Sequence, residues 1–515
     1  MANRLVANIF SNWANLFVNI VISFFLAPFV VHSLGDTYYG IWVIMMQFTG
    51  YLYLLDFGIR ESVIRSVSKL NAVQNFDDLD EILNSSVFLY SAIGLLAFVV
   101  SVALAFFFGS IFNVSMEILP TARVVVVVSG LTIAISLAFN VFTGVLMGLQ
   151  RYDIFNKIGI VTSFIRLALI VFFLSRGYGI LALALVQFAI TLTSNLVIFV
   201  MARRLLRTQG LHLQYRHKSI RHRMPVFRSL YNYSIHVVIN NLGQKAIYYT
   251  DALVIGIILS PASVTYYAIA GNLIEYLRRL ILISNNVLNP LVSDLDSRND
   301  KDAIQNVLIQ GARLSMLLAI PIATVYLTMG RQFISHWMGS EYATLSGDVL
   351  CVLAIGVAVS TPQNTISSIL YGISRHKIIA RLRVLEAVAN LALSLTLIKA
   401  LGIVGVALGT AIPQVILMAI VLPILTIRVI GSTLVKFVHQ AYLLPLGASI
   451  PFAVSCYLLN QRLPAESLFG FMAQLVMLGP IFVAGVWFIA LSNADRDTCS
   501  RIIGGKINAL RMRNS

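Results

Sequence analysis

The sequence predicts an all-α, polytopic membrane protein of about fourteen transmembrane helices, arranged as two parallel six-helix lobes followed by two C-terminal helices. Three observations predict it. Of the 515 residues, 58% are hydrophobic and 11% charged, where a soluble domain carries about a quarter charged residues. Apolar runs of about eighteen residues or more recur along the chain, each long enough to cross ~30 Å of hydrocarbon as a helix. The first six runs are echoed by the next six.

Taken in order, spans near 11–31, 38–59, 86–108, 122–148, 158–174 and 179–201 make an N-terminal lobe over 1–201. A basic linker at 202–230 follows. A second lobe over 231–430 holds spans near 231–259, 263–293, 307–329, 347–370, 382–400 and 403–427. Two more, near 441–459 and 469–491, occupy 431–491 before a basic tail at 492–515. The first span is preceded by a single Arg4 and runs through Pro28 to Val31 without a small-residue cleavage site. It reads as an uncleaved first helix, not a signal peptide.

Charge fixes the expected orientation. The formal charge is +16, a value that also suits nucleic-acid binding, so the placement of the basic residues decides. Of the 37 Lys and Arg, roughly 27 fall in loops on one side, about 4 on the other and about 6 within spans. That bias puts both termini and the 202–230 linker in the cytoplasm and argues against a nucleic-acid partner. The largest external loop, near 330–346, leaves no room for an external catalytic domain.

The internal repeat emerges when the chain is slid against itself by about 225 positions. Tyr38-Tyr39-Gly40-Ile41 then meets Tyr266-Tyr267-Ala268-Ile269, and Gly148-Leu149-Gln150-Arg151 meets Gly372-Ile373-Ser374-Arg375. Asp80 falls near Asp302, and Gly179-Ile180 near Gly402-Ile403. Six spans separate the copies, so both have the same orientation, related by an axis along the membrane normal.

Polar residues inside the spans are the candidates for function. Asn8, Asn12, Asn15 and Asn19 share one face of the first helix, and the repeat sets them against His236, Asn240 and Gly243. Two readings are open, interhelical hydrogen bonding and a wet cavity shared by the leading helices of both lobes. Ionisable residues are costly in lipid and usually face a bundle interior or a water path. Here they are Arg166, Lys245, Asp251, Glu275, Arg278, Arg279, Arg313 and Glu386. Glu275 precedes Arg278 and Arg279 at the spacing of an intrahelical ion pair. Asp56 and Arg60 are spaced alike and read as structural, and Arg123 is placed to snorkel. Arg166, Lys245, Arg313 and part of the Arg278-Arg279 pair are left as cations without a local partner. An anionic substrate would supply one, since Arg holds phosphate through a planar fork and Lys as a point charge. With Asn12, Asn15 and Asn240, these cations are the substrate-binding candidates, and Asp251, Glu275 and Glu386 are the ion-coupling candidates.

Other chemistry is not indicated, and no cofactor is implied. Gly504-Gly505-Lys506 lacks the spacing and the Ser or Thr of a nucleotide-binding P-loop. His212, His217 and His222 step by five, which turns each away from the last on a helix. Cys351, Cys456 and Cys499 have no CxxC spacing.

The Tyr38-Tyr39-Gly40-Ile41-Trp42 element, the Asp56-Phe57-Gly58 ending of the second span and the Gly148-Leu149-Gln150-Arg151 elbow resemble the Wzx-like oligosaccharide flippases. These belong to the multidrug/oligosaccharidyl-lipid/polysaccharide exporter superfamily, and the resemblance covers essentially the whole chain. It implies a V-shaped pair of lobes in the inner membrane that alternates access and moves an undecaprenyl-pyrophosphate-linked glycan to the periplasmic leaflet. The implied partners are the lipid-linked oligosaccharide, membrane lipids, and a polysaccharide polymerase with its chain-length regulator. Family members are thought to use an ion gradient and a cationic cavity, though no family motif fixes the site residue by residue. Three alternatives stand beside it. A flippase for a peptidoglycan precursor would share the architecture. A drug or cation antiporter would want buried carboxylates. A membrane glycosyltransferase or O-antigen ligase would need external acids, and only Asp36, Glu117, Glu341, Asp348 and Glu466 are scattered there.

Overall fold

Helices account for the architecture, and no strand occurs among the described residues. The computed structural model describes residues 2–56, 58–210, 249–285, 288–492 and 496–497. The chain divides into two compact units, Met1–Ala268 and Ile269–Ser515. Most of the linker expected at 202–230 and most of the seventh span expected at 231–259 lie outside the described residues, as does nearly all of the tail.

The first unit contains α1 (Ala2–Leu34), α2 (Asp36–Leu52, continued by a 3-10 turn at Tyr53–Asp56), α3 (Ile59–Ala72), α4 (Phe76–Ile111), α5 (Leu119–Gly148), α6 (Tyr152–Ser175), α7 (Gly179–Thr208) and α8 (Tyr249–Ile258). The unit boundary falls within α9 (Pro261–Asn285). The second unit continues with α10 (Leu288–Ser297), α11 (Lys301–Trp337), α12 (Ala343–Ser360), α13 (Gln363–Gly372) and α14 (Lys377–Pro413). A π-helical segment at Gln414–Val421 leads into α15 (Leu422–Ile430) and α16 (Leu434–Phe437). Last come α17 (Leu444–Arg462) and α18 (Leu468–Gly485).

Among the described residues ten helices are long and apolar enough to cross a membrane, or eleven if Asp36–Asp56 and Ile59–Ala72, bent by 45°, form one span. One of the ten, Lys377–Ile430, is a hairpin. Gly402 takes φ 58°, ψ −138°, a conformation open to glycine because it has no Cβ. Beyond it the chain runs back alongside itself, so that Asn390 Nδ2 donates to Thr410 Oγ1 at 2.7 Å. A continuous helix rising 1.5 Å per residue would hold those two about 30 Å apart. The expectation of two spans at 382–400 and 403–427 rests on the same turn. The expected eighth span, by contrast, contains the charges Glu275, Arg278 and Arg279, and these keep α9 out of the apolar set.

The repeat is built into the backbone. Among the described residues four non-glycines have left-handed φ, Gln74 (53°), Gln150 (56°), Asn299 (56°) and Ser374 (58°), and they fall into two pairs at the repeat spacing. Each ends a helix with the same six-residue closure. Asn75 N bonds Leu70 O at 3.0 Å and Asp300 N bonds Leu295 O at 3.1 Å, while Arg151 N bonds Leu146 O at 2.9 Å and Arg375 N bonds Leu370 O at 2.7 Å. This is the Schellman pattern, which satisfies carbonyls left over at a helix end. The next helix then starts on a matching cap, since Asn75 accepts from Asp78 N and Asp300 from Ala303 N.

Packing repeats as well. A Cβ on Gly148 would lie 2.7 Å from Val67 Cβ, and one on Gly372 would lie 2.7 Å from Val292 Cγ1. In both units a short amphipathic helix (α3 or α10) therefore docks on the end of the fourth span. The first core joins Val63, Val67, Leu79, Leu83, Leu137, Val145 and Leu146. The second joins Val292, Leu308, Ile309, Ile366, Ile369 and Leu370 from the corresponding elements, with Met418 and Phe437 added.

Candidate functional site

Each unit carries a polar seam on its fifth-span helix, and these seams contain the candidates Asn12, Asn15, Arg166 and Glu386. In the first unit Asn12, Asn15 and Asn19 of α1 face α6. Asn156 Nδ2 donates to Asn12 Oδ1 at 2.6 Å and Ser11 Oγ at 2.9 Å, and Asn15 Nδ2 donates to Asn156 Oδ1 at 3.2 Å. Asn19 donates to Asn15 Oδ1 at 2.9 Å and accepts from Ser163 Oγ at 2.8 Å. Gly159 lets α1 approach, because a Cβ there would stand 3.1 Å from Asn15 Oδ1. The stripe therefore joins helices by hydrogen bonds, each worth about 0.6 kcal/mol on average in a membrane bundle. Asn12 is exposed at its edge, and Asn15 and Asn19 are half-buried.

Asn156, Gly159, Ser163 and Arg166 lie on one face of α6, at spacings of three and four. The first three serve the seam. Arg166, half-buried, continues it and makes no hydrogen bond or ion pair among the described residues, and its Nε is buried. A guanidinium carries five donors and keeps its charge in proteins, so Arg166 has donor capacity that the described residues leave unused.

The corresponding helix of the second unit, α14, presents Arg383, Glu386, Asn390 and Ser394, all buried. Arg383 Nη1 meets Glu386 Oε2 at 2.9 Å, with the two side chains 7% and 2% exposed. Arg383 Nη2 also donates to Gln363 Oε1 at 2.8 Å. Gln363 and Gln414 both donate to Ser360 Oγ, at 3.3 and 2.8 Å. Arg278, half-buried, is near enough for its charge to act on Glu386. A buried ion pair holds only when its remaining donors and acceptors are also satisfied, and the Gln-Ser-Gln chain does this for the arginine.

Arg313 corrects the expectation of a cation without a partner. It is 7% exposed, and it donates Nη1 to Ala490 O at 3.2 Å and Nη2 to Gln310 Oε1. Arg313 thus ties α11 to the chain just past α18. Arg279 does pair with Glu275, at 2.9 Å, as the spacing predicts. Asp251 is 4% exposed and accepts from the Tyr267 hydroxyl. Asp56 accepts from Tyr90, and Arg60 pairs with Glu61 at 3.0 Å. Arg123 donates to Phe106 O at 3.2 Å. Asn240 and Lys245 lie outside the described residues, as do His236, Gly243 and the three linker histidines.

Sequence reasoning missed Arg383, Gln363, Gln414 and Asn156. The signal for Arg383 was present, since it stands three residues before Glu386 on one helix, the spacing that was read for Glu275 and Arg278. Asn156 had no such signal, because its partners come from a different helix.

Helices of membrane-crossing length with polar seams at their fifth spans define a multi-pass membrane protein. The chain belongs to the family described as "Polysaccharide biosynthesis protein", which matches residues 34–347. It is 30% identical to the "Probable low-salt glycan biosynthesis flippase Agl15" of Haloferax volcanii over 36% of this chain and 39% of that relative, so the match spans well under half of that protein. It is 23% identical to the "Putative O-antigen transporter" of Shigella flexneri over 76% of this chain and 91% of that relative. Among solved structures, a lipid II flippase MurJ in an inward closed conformation superposes with a TM-score of 0.70 at 14% identity, covering 93% of this chain and 98% of that one. An inward-facing MATE family transporter of the MOP superfamily reaches 0.69 at 14% identity, covering 81% of this chain and 94% of that one. At these identities the structures speak for the fold alone. The resemblance drawn from the sequence elements agrees with all of these matches.

Proposed function

We propose that this protein is a flippase that moves an undecaprenyl-pyrophosphate-linked oligosaccharide across the cytoplasmic membrane by alternating access, for synthesis of O-antigen, capsule or exopolysaccharide. The match of residues 34–347 to the polysaccharide biosynthesis family carries the reading. Arg166 supports the anionic part of the substrate, because a planar guanidinium with unused donors suits a phosphate fork. Both termini are cytoplasmic in this reading, and the released glycan passes to a polymerase and its chain-length regulator. Deleting the gene in the producing cell tests it. The lipid-linked oligosaccharide should accumulate while the exported glycan disappears, and export at the normal level would overturn the assignment.

A second reading, flipping of a peptidoglycan precursor, draws on the 93% coverage by the lipid II flippase fold against 81% by the MATE transporter. Growth of a strain depleted of its own lipid II flippase, sustained by this chain, would favour it.

A further inference from the structure

The second unit holds an open cavity of about 580 Å³ with a mixed polar and apolar lining, within the ~300–1,000 Å³ of small-ligand sites. It lies between the end of α11, the start of α12, Val404 of α14 and Asn460 of α17. None of the substrate or ion-coupling candidates lines it. Thr328, Arg331, Gln332, Asp348, Cys351 and Asn460 do, and their bonding reveals what the cavity would hold.

Arg331 and Asp348 pair through a single carboxylate oxygen. Nε and Nη2 of Arg331 both donate to Asp348 Oδ1, at 3.2 and 2.5 Å. Asp348 Oδ2 and Arg331 Nη1 are left as an acceptor and a donor, on side chains that are 34% and 63% exposed. Gln332 Nε2 donates to Ala465 O at 3.2 Å, and His336 Nε2 lies 2.8 Å from the same carbonyl. That fixes the amide's orientation, since a flipped amide would set oxygen against oxygen. Gln332 Oε1 is then buried, with no hydrogen-bond partner among the described residues and almost no accessible surface, so Gln332 belongs to the wall of the cavity and does not face a ligand in it. Asn460 Nδ2 donates to Thr328 O at 3.0 Å, which leaves its Oδ1 as a further acceptor on the opposite wall.

The paired charges make the lining neutral, so neither a phosphate nor a cation is favoured. A lining that offers both donors and acceptors suits groups that both give and accept hydrogen bonds, which is the chemistry of the hydroxyls on a sugar ring. We infer that this cavity is a saccharide-binding subsite that takes a neutral segment of a glycan, with Asp348, Arg331 and Asn460 as its contacts. The inference rests on the flippase reading for the source of the sugar, not for the chemistry of the cavity.

The test uses the full chain in nanodiscs and, as probe, the tritium-labelled oligosaccharide released by mild acid from the lipid-linked pool of the producing cells. Equilibrium dialysis should show saturable binding that inorganic pyrophosphate does not displace. Asp348→Asn and Asn460→Ala should each weaken it, by about tenfold for the aspartate, in protein that still elutes as a single species. Displacement by the intact lipid-linked molecule assigns the subsite to substrate in transit, and displacement by free oligosaccharide alone assigns it to released glycan. No binding, or binding undiminished in both variants, overturns the inference. Export is read separately in cells, so export without binding removes this subsite alone, and binding without export removes the flippase reading alone.

Discussion

Arg383 and Glu386 stand one turn apart on α14 and meet at 2.9 Å, with 7% and 2% of their side chains exposed. Removing one partner of such a pair leaves a buried charge uncompensated, at a cost of about 3–5 kcal/mol, whereas replacing both with apolar residues is often neutral. Arg383→Met and Glu386→Leu should each lower the melting temperature and membrane abundance of the protein. The double variant should recover both. Its transport then decides the role of the acid: a stable double variant that no longer exports keeps Glu386 as an ion-coupling residue, and one that exports removes it.

Arg166 should behave oppositely. It has no partner among the described residues to orphan, so Arg166→Ala should leave membrane abundance near normal. If it binds substrate phosphate, glycan export should fall by about tenfold or more, as expected from a lost hydrogen bond to a charged group of ~1.5–3 kcal/mol. Arg166→Lys should restore only part of it, because lysine keeps the charge but not the fork. Normal export by Arg166→Ala would remove this residue from the site.

The paired elbows make a prediction about stability. A left-handed conformation costs a non-glycine residue roughly 1–2 kcal/mol, partly offset in a glycine variant by a more flexible unfolded chain, worth ~0.4–1 kcal/mol. Gln150→Gly and Ser374→Gly should therefore each raise stability by about 0.5 kcal/mol. Thermal unfolding of the two variants should give shifts of the same sign and similar size. Opposite signs would show that the two turns are not equivalent.

Orientation is tested by thiol labelling. In a cysteine-free background, Ser340→Cys should react with an impermeant maleimide added to intact cells, and Ser219→Cys should not. Labelling of position 219 from outside would invert the topology.

Much of this protein was legible in its sequence, and the reasons are physical. Membrane helices must satisfy their backbone internally, so apolar length alone located α4, α5, α6, α7 and α11. The repeat was legible because turns need particular backbone conformations. Gly148 and Gly372 sit against valines, and Gln150 and Ser374 close the same turn. The site was less legible because partners are chosen across space. Arg313 looked free on its own helix, yet its bond to Ala490 O comes from the far end of the chain. The asparagine stripe of α1 likewise gave no hint that Asn156 and Ser163 would receive it. Hydropathy also could not find the cavity around Asp348, since it sees that residue only as one scattered acid near an external loop.

The central claim is tested most directly by reconstitution. The purified protein is placed in proteoliposomes with a fluorescently labelled undecaprenyl-pyrophosphate oligosaccharide, and a membrane-impermeant reductant quenches label on the outer leaflet. The account predicts that quenching exceeds the half seen with protein-free vesicles and approaches completion, that an ion gradient speeds it, and that Arg166→Ala slows it. Quenching that stops at the protein-free level, with monodisperse protein and an intact gradient, would contradict the assignment as a flippase.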